Sequence, residues 1–238
     1  MSSTITFYIA RHGKTLLNTL DRVQGWCDSP LTPEGIEVAQ FLGAGLRDIS
    51  FDAVYASDLR RTRQTAEVVL SQQGQTDLPI NEVYGFREAC FGSFESDFNA
   101  KMWGNVALFL QYVKMEDMYR DVFHGKISNK EALDVISKLD HMGLAETFEQ
   151  VETRSQSALR EVAANETANG KDKNVLVIAH GMSIICMLQS LGGKELLKGH
   201  LENAAVCKVT YRDGKFDVQS MGDMSYVHTG REQLTVNS

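Results

Sequence analysis

Three short apolar runs constrain what this chain can become. ITFYIA (5–10), FDAVYAS (51–57) and NVLVIA (174–179) carry β-branched and aromatic residues, and each gives way to a stretch whose apolar positions recur at helical spacing. A near-continuous apolar run suits a strand covered on both faces, as in a parallel sheet flanked by helices.

The helical stretches carry their own signals. LTPEGIEVAQFLGAGLRDI (31–49) opens with Thr32 as N-cap and Pro33 at the first helical position, then sets Ile36, Ala39, Gln40, Gly43 and Leu46 at helical intervals. Ser57 or Asp58 is placed to cap the helix LRRTRQTAEVVLSQ, and the helix after His180-Gly181 is expected to close at Gly192-Gly193. AAVCKVTYRDGKFDVQSMG (204–222) reads as two strands joined by the Asp213-Gly214 turn. The alternation predicts an α/β fold: a three-layer α/β/α sandwich with a mainly parallel central sheet and an antiparallel edge strand. From about residue 98 to 147 the alternation stops. NVALFLQYVKMEDMYRDV and NKEALDVISKLDHM are helical in pattern, so a single domain over 1–238 with a helical insertion, a candidate lid, is expected.

The formal net charge of −7 argues against a broad nucleic-acid or anionic-membrane surface, so any anion site must be local. The N-terminus lacks a secretory pattern, and no apolar run reaches membrane-spanning length, which makes a cytoplasmic location the default expectation. Cys27, Cys90, Cys186 and Cys207 are scattered without metal-site spacing and read as reduced thiols.

Ligands of such sheets collect at the carboxyl ends of the strands. There the sequence delivers Arg11 and His12 after the first run, Ser57 to Arg63 after the second, and His180 after the third. A buried arginine needs an anion or carboxylate for its guanidinium fork, and two arginines with two histidines at one rim make a phosphate pocket. A lone histidine is usually a satisfied structural group. The shared position of His12 and His180, with Gly13 and Gly181 behind them permitting close backbone approach, argues for chemistry instead. His124, His141, His200 and His228 have no such company and read as structural or exposed.

RHGKTLLN (11–18) resembles the R-H-G-x-[ST]-x-x-N signature of the histidine phosphatase superfamily, also called the phosphoglycerate mutase-like family. The resemblance continues in RVQGWCDSPLTPEG (22–35), SDLRRTRQTA (57–66), FREACFGSFE (86–95) and VIAHGMS (177–183), in the family's order. It implies that His12 is a nucleophile forming a phosphohistidine that water hydrolyses, without metal or cofactor. Arg11, Arg61 and His180 would neutralise the phosphoryl oxygens, and Asn18 would add a neutral donor. Glu88 would be the proton donor, its carboxyl held protonated by a neighbouring phosphate dianion. Thr15, Gln24, Gly25 and Gly181 would complete the substrate contacts. Arg60 and Arg63 compete with Arg61, and Glu82 and Glu95 with Glu88; the motif selects Arg61 and Glu88.

Lys14 departs from the pattern, standing where the family usually has Glu or Gln; either a contact to a second acidic group or a solvated side chain fits it. Bisphosphoglycerate-primed mutases of the family carry arginines after the glutamate and an arginine pair in the insertion. This chain has E-A-C-F-G and a single insertion arginine, Arg120. The expectation is therefore a phosphatase acting on a small phosphorylated metabolite, with a mutase as the competing reading and a non-catalytic phospho-ligand module as the third. A homodimer stays open, and the sequence does not select the substrate.

Overall fold

The computed structural model describes residues 3–197 and 200–236. In chain order it contains β1 (Ile5–Arg11), α1 (Leu16–Thr19), α2 (Pro33–Gly45), β2 (Ala53–Ala56), α3 (Arg60–Gln73), β3 (Ile80–Glu82), α4 (Asn99–Phe109), α5 (Met115–Phe123) and α6 (Asn129–Leu139). There follow α7 (Phe148–Thr167), β4 (Lys173–Ala179), α8 (Gly181–Gln189), β5 (Val206–Arg212), β6 (Lys215–Asp223) and α9 (Ser225–Val236).

The strands form one sheet in the order β3-β2-β4-β1-β5-β6. β3, β2, β4 and β1 run parallel, while β5 pairs antiparallel with β1 and with β6. The expected α/β architecture is present, with two antiparallel strands at one edge. The short β3 at the other edge has too little apolar character to have been foreseen from its sequence.

Alternation along the strands builds two apolar layers. Ile5, Phe7 and Ile9 of β1 pack with Leu159, Val162 and Ile184 of α7 and α8, while Tyr8 and Ala10 face Phe41, Leu42, Ala66 and Val69 of α2 and α3. Thr32 caps α2 as expected, accepting from Gly35 N, with Pro33 at its first turn. α2 crosses α9 closely enough that a Cβ on Gly45 would collide with the backbone of Tyr226, and one on Gly230 with that of Phe41.

Three local expectations are corrected. α3 begins at Arg60 with Leu59 at its N-cap and no side-chain cap. Ser57 is instead engaged by His180 and Thr62, and Asp58 by Arg87. α8 stops at Gln189 with Ser190 as its C-cap, so the glycine pair lies beyond it; Gly192, at φ 103°, opens a separate short turn. The first helical stretch of the insertion is split: Tyr112 N donates back to Ala107 O and Gln111 takes a positive φ of 64°, closing α4 before α5 starts.

The insertion packs on the body rather than standing apart. Met102 and Val106 of α4, Met118 of α5 and Leu133 and Ile136 of α6 share one apolar cluster with Val23, Ala89, Phe94, Phe148 and Cys186. Its start is tied to the chain before Gln24: Val23 N donates to Asp97 O and Asn99 N to Asp21 O.

Candidate active site

Strand register gathers the polar residues. Arg11 pairs with Ala179 and Ala56 with Ile178, so His12, His180 and Ser57, each just past its strand, emerge along one edge. The rings of His12 and His180 meet edge to face with centroids 5.2 Å apart. His12 is 4% exposed, Glu88 7%, and His180 and Arg61 are fully buried. Burial of this kind is affordable only when each polar group has a partner.

Those partners define the protonation states. His12 Nδ1 lies 2.7 Å from Gly13 O and must donate to it, which leaves Nε2 as the ring's lone pair. Asn203 Nδ2 donates to His12 O at 2.9 Å and Gly13 N to Thr65 Oγ1 at 3.0 Å, fixing the backbone on both sides of the ring. Burial, reinforced by Arg61 and Arg11, holds His12 well below the usual histidine range. His180 Nδ1 accepts from Arg61 Nε at 3.1 Å, so its Nε2 donates to Ser57 Oγ at 2.7 Å. Burial, with Arg61 next, keeps His180 well below its ordinary value too. Both nitrogens of the neutral His180 ring are thus engaged, and the positive charge beside it is carried by Arg61 and Arg11.

Arg61 is the fully buried arginine of its cluster, whereas the Arg63 side chain is 58% exposed and pairs with Glu67 and Glu82. Besides its bond to His180, Arg61 donates through Nη1 to Cys27 O and Asp28 Oδ1, both at 2.9 Å, and through Nη2 to Gly25 O at 2.7 Å. Four of its five N–H groups are thus engaged by described residues. Arg11 donates through Nη1 to Leu201 O at 2.7 Å. Its Nε is buried with no hydrogen-bond partner, and a Cβ on Gly181 would sit 3.4 Å from it. A buried guanidinium nitrogen in that condition is the kind of group an anion satisfies. Burial lowers the Arg11 pKa, opposed by the Glu88 carboxylate.

Glu88 lies at the start of α8. Its Oε1 accepts from Ser183 N (2.7 Å) and Ala89 N (2.9 Å), and its Oε2 from Met182 N (3.0 Å). Glu88, His180 and, through Gly181, Arg11 therefore surround one helix N-terminus, where backbone N–H groups favour negative charge.

The remaining expected residues brace the rim. Thr15 and Asn18 form a capping box on α1, with Asn18 Oδ1 accepting from Thr15 N. Thr15 is fully buried, and its hydroxyl lies 2.5 Å from the Gln24 amide. With its oxygen turned toward them, that amide also accepts from Ser29 N and Arg61 Nη1, each at 3.3 Å. Thr15 therefore supports the Gln24 loop from behind. Lys14 lines a cavity of about 370 Å³ together with Arg11, Glu34, Asn203, His228 and Arg231; His200 lines it too, so two of the histidines read as structural or exposed border the same hollow. Arg120 sits at the surface on Asp117.

Sequence reasoning missed the supports. Glu95, weighed only as a competitor of Glu88, accepts from the backbone N–H groups of Gly25, Trp26, Cys27 and Phe91 at 2.9–3.1 Å. It thereby ties the Gln24 loop to the segment following Glu88. Asn203 gave no signal, since a lone asparagine between turn and strand resembles any loop residue.

The superfamily model for histidine phosphatases, branch 1, matches residues 7–224. The chain belongs to the histidine phosphatase superfamily. Within it, the chain is 30% identical to a broad-specificity phosphatase of Saccharomyces cerevisiae over 235 residues, covering 96% of this chain and 90% of that protein. It is 26% identical over 230 residues to a metal-independent phosphoserine phosphatase of Arabidopsis thaliana, covering 95% and 84%. Among solved structures, the crystal structure of phosphoglycerate mutase from Bacillus anthracis str. Sterne superposes with a TM-score of 0.90 at 38% identity, covering 97% of this chain and 98% of that one. Histidine phosphatases and phosphoglycerate mutases thus both stand among its relatives. Among the described residues no helix is long and apolar enough to cross a membrane, and no group of three or more His, Cys, Asp or Glu side chains could hold a metal ion.

Proposed function

We propose that the protein is a phosphomonoesterase hydrolysing a small phosphorylated metabolite through a phosphohistidine on His12. The observation that carries this reading is the bond from His12 Nδ1 to Gly13 O, which presents an unprotonated Nε2 beside the buried Arg61 and the half-buried Arg11. Nε2 attacks phosphorus as the ester P–O bond breaks. Nδ1 keeps its proton, and the Gly13 carbonyl stabilises the cationic ring that results. Arg11, through the unpartnered Nε, and Arg61, through its remaining N–H, offset charge on the phosphoryl oxygens. Asn18, its oxygen held by Thr15 N, offers its amide nitrogen.

Glu88 supplies the proton that the departing alkoxide needs. Its Oε1 already accepts two N–H groups and its Oε2 one, so Oε2 has the open lone pair on which that proton rides. The carboxylate left behind then takes a proton from water as the water attacks phosphorus and the N–P bond breaks, releasing inorganic phosphate and restoring neutral His12.

Hydrolysis is preferred over mutase chemistry because the segment after Glu88 is Ala89-Cys90 and the insertion's Arg120 is engaged with Asp117 at an exposed position, so the second anionic group of a bisphosphorylated primer lacks cations there. The likeness to a phosphoglycerate mutase structure is what favours the competing reading. Phosphate release from a panel of phosphoesters, measured beside conversion of 3- to 2-phosphoglycerate, separates them. Phosphate release without isomerisation is expected; primer-dependent isomerisation without release would overturn the proposal.

A further inference from the structure

Arg154, on α7, points at the back of the Glu88 segment. Its guanidinium donates through Nη1 to Gly85 O (2.9 Å) and Arg87 O (2.7 Å), and through Nη2 to Glu88 O (2.7 Å). Its remaining donors form a fork onto Glu146: Nε to Oε1 at 2.7 Å and Nη2 to Oε2 at 2.8 Å. All five N–H groups are thereby engaged, three of them on carbonyls of one four-residue segment. Glu146 completes the clamp, since its Oε2 accepts from Cys90 N (2.9 Å) and its own N donates to Cys90 O (2.9 Å). Both side chains are 15% exposed. On the opposite side, Trp26 Nε1 donates to the same Glu88 carbonyl at 3.0 Å.

We infer that Arg154, anchored by Glu146, is a positioning residue for the acid step: by fixing the carbonyls of Gly85, Arg87 and Glu88 it holds the Glu88 carboxyl against the start of α8. The inference rests on the reading of Glu88 as proton donor. A guanidinium suits the task because its planar donors are pre-organised, whereas a lysine could meet few of these acceptors at once. The segment concerned, from the short turn Tyr84–Phe86 to the turn Gly92–Phe94, has no strand or α-helix to hold it, so its geometry depends on such side-chain bonds. Loss of the fork lets the Glu88 carboxyl drift by a fraction of an ångström, enough to slow a proton transfer while leaving the nucleophile in place.

The test uses two esters, an alkyl phosphate whose leaving group needs a proton and an aryl phosphate such as p-nitrophenyl phosphate whose leaving group does not. kcat/KM is compared because it reads only through the first irreversible step, transfer of the phosphoryl group to His12. Glu88→Gln should lower the alkyl value by about 10²-fold or more and the aryl value much less. Arg154→Lys should show the same selectivity at about 10-fold, and the double variant should be no worse than Glu88→Gln alone, because the two act as a unit. Glu146→Gln, which keeps an oxygen for the fork, is the variant that guards against misfolding; it should shift the alkyl-to-aryl ratio in the same direction by a smaller factor. If Glu88→Gln is selective while Arg154→Lys and Glu146→Gln depress both esters equally, the positioning role is wrong and the clamp is merely structural. If Glu88→Gln itself is unselective, the assignment of Glu88 as acid falls, and the inference with it.

Discussion

At the residue scale the site is defined by two histidines that stay neutral. Both titrate well below 6.5 because they are buried, with Arg61 as the next cause. In the unfolded chain each would take up a proton near its ordinary value of about 6.5. Below that pH the unfolded state binds more protons than the folded one, so stability rises with pH there and is lost as pH falls. Each histidine contributes a slope of about 1.4 kcal/mol per pH unit, from pH 6.5 down to its folded value. Urea midpoints measured between pH 7 and 5 should therefore fall, and His12→Ala should flatten the decline; an unchanged slope would mean His12 is protonated in the fold. Arg61 shows the opposite dependence on a partner. Arg61→Met would strand Asp28, Gly25 O and Cys27 O and leave His180 Nδ1 without its donor, at a cost of about 3 kcal/mol read by denaturant unfolding.

At the element scale the sheet edge that carries the two histidines is held by loops and short turns braced by side chains. Glu95 gathers four backbone N–H groups from two loops, so Glu95→Ala should loosen the Gln24 segment while sparing His12. KM is expected to rise by about 10-fold, with kcat changed less, because positioning of bound substrate is what is lost; steady-state kinetics on one phosphoester decides it. The α2–α9 crossing sets a different demand. Gly230→Ala would force a methyl into the backbone of Phe41 and should lower stability by about 2 kcal/mol, read from the shift in thermal midpoint. The main strands, the Asp213-Gly214 hairpin and the start of α2 were legible in the sequence because each carries a local signal: apolar runs, a turn dipeptide, a Thr-Pro cap. The cap expected at Ser57 was not, because the hydroxyl that would cap the helix is held by a histidine 123 positions away in sequence. Arg154 and Glu95 were illegible for the same reason: on the page a charge on a helix face or a loop reads as solvated, and only the fold reveals the backbone groups it serves. The opposite holds for Arg61 among its neighbours, where the motif alone picked out the buried arginine.

At the scale of the whole molecule, a chain of net charge −7 sets two arginines, Arg11 and the fully buried Arg61, beside the histidines at one sheet edge. The insertion shares its apolar cluster with Cys186 of α8 and Phe148 of α7, so it has little core of its own. It should melt with the body in one transition: tryptophan fluorescence, which reports Trp26 in the body and Trp103 in α4, and far-ultraviolet circular dichroism should give coincident midpoints. Separate midpoints would show an independently folding lid. The claim on which the chemistry turns is that His12 carries the phosphoryl group during turnover. Rapid quench into alkali during hydrolysis of a phosphoester, followed by peptide mass spectrometry, should find an acid-labile phosphoryl adduct on His12 and none in the His12→Ala protein, which should also have lost phosphate release. An adduct on another residue, or undiminished turnover by His12→Ala, would contradict the account.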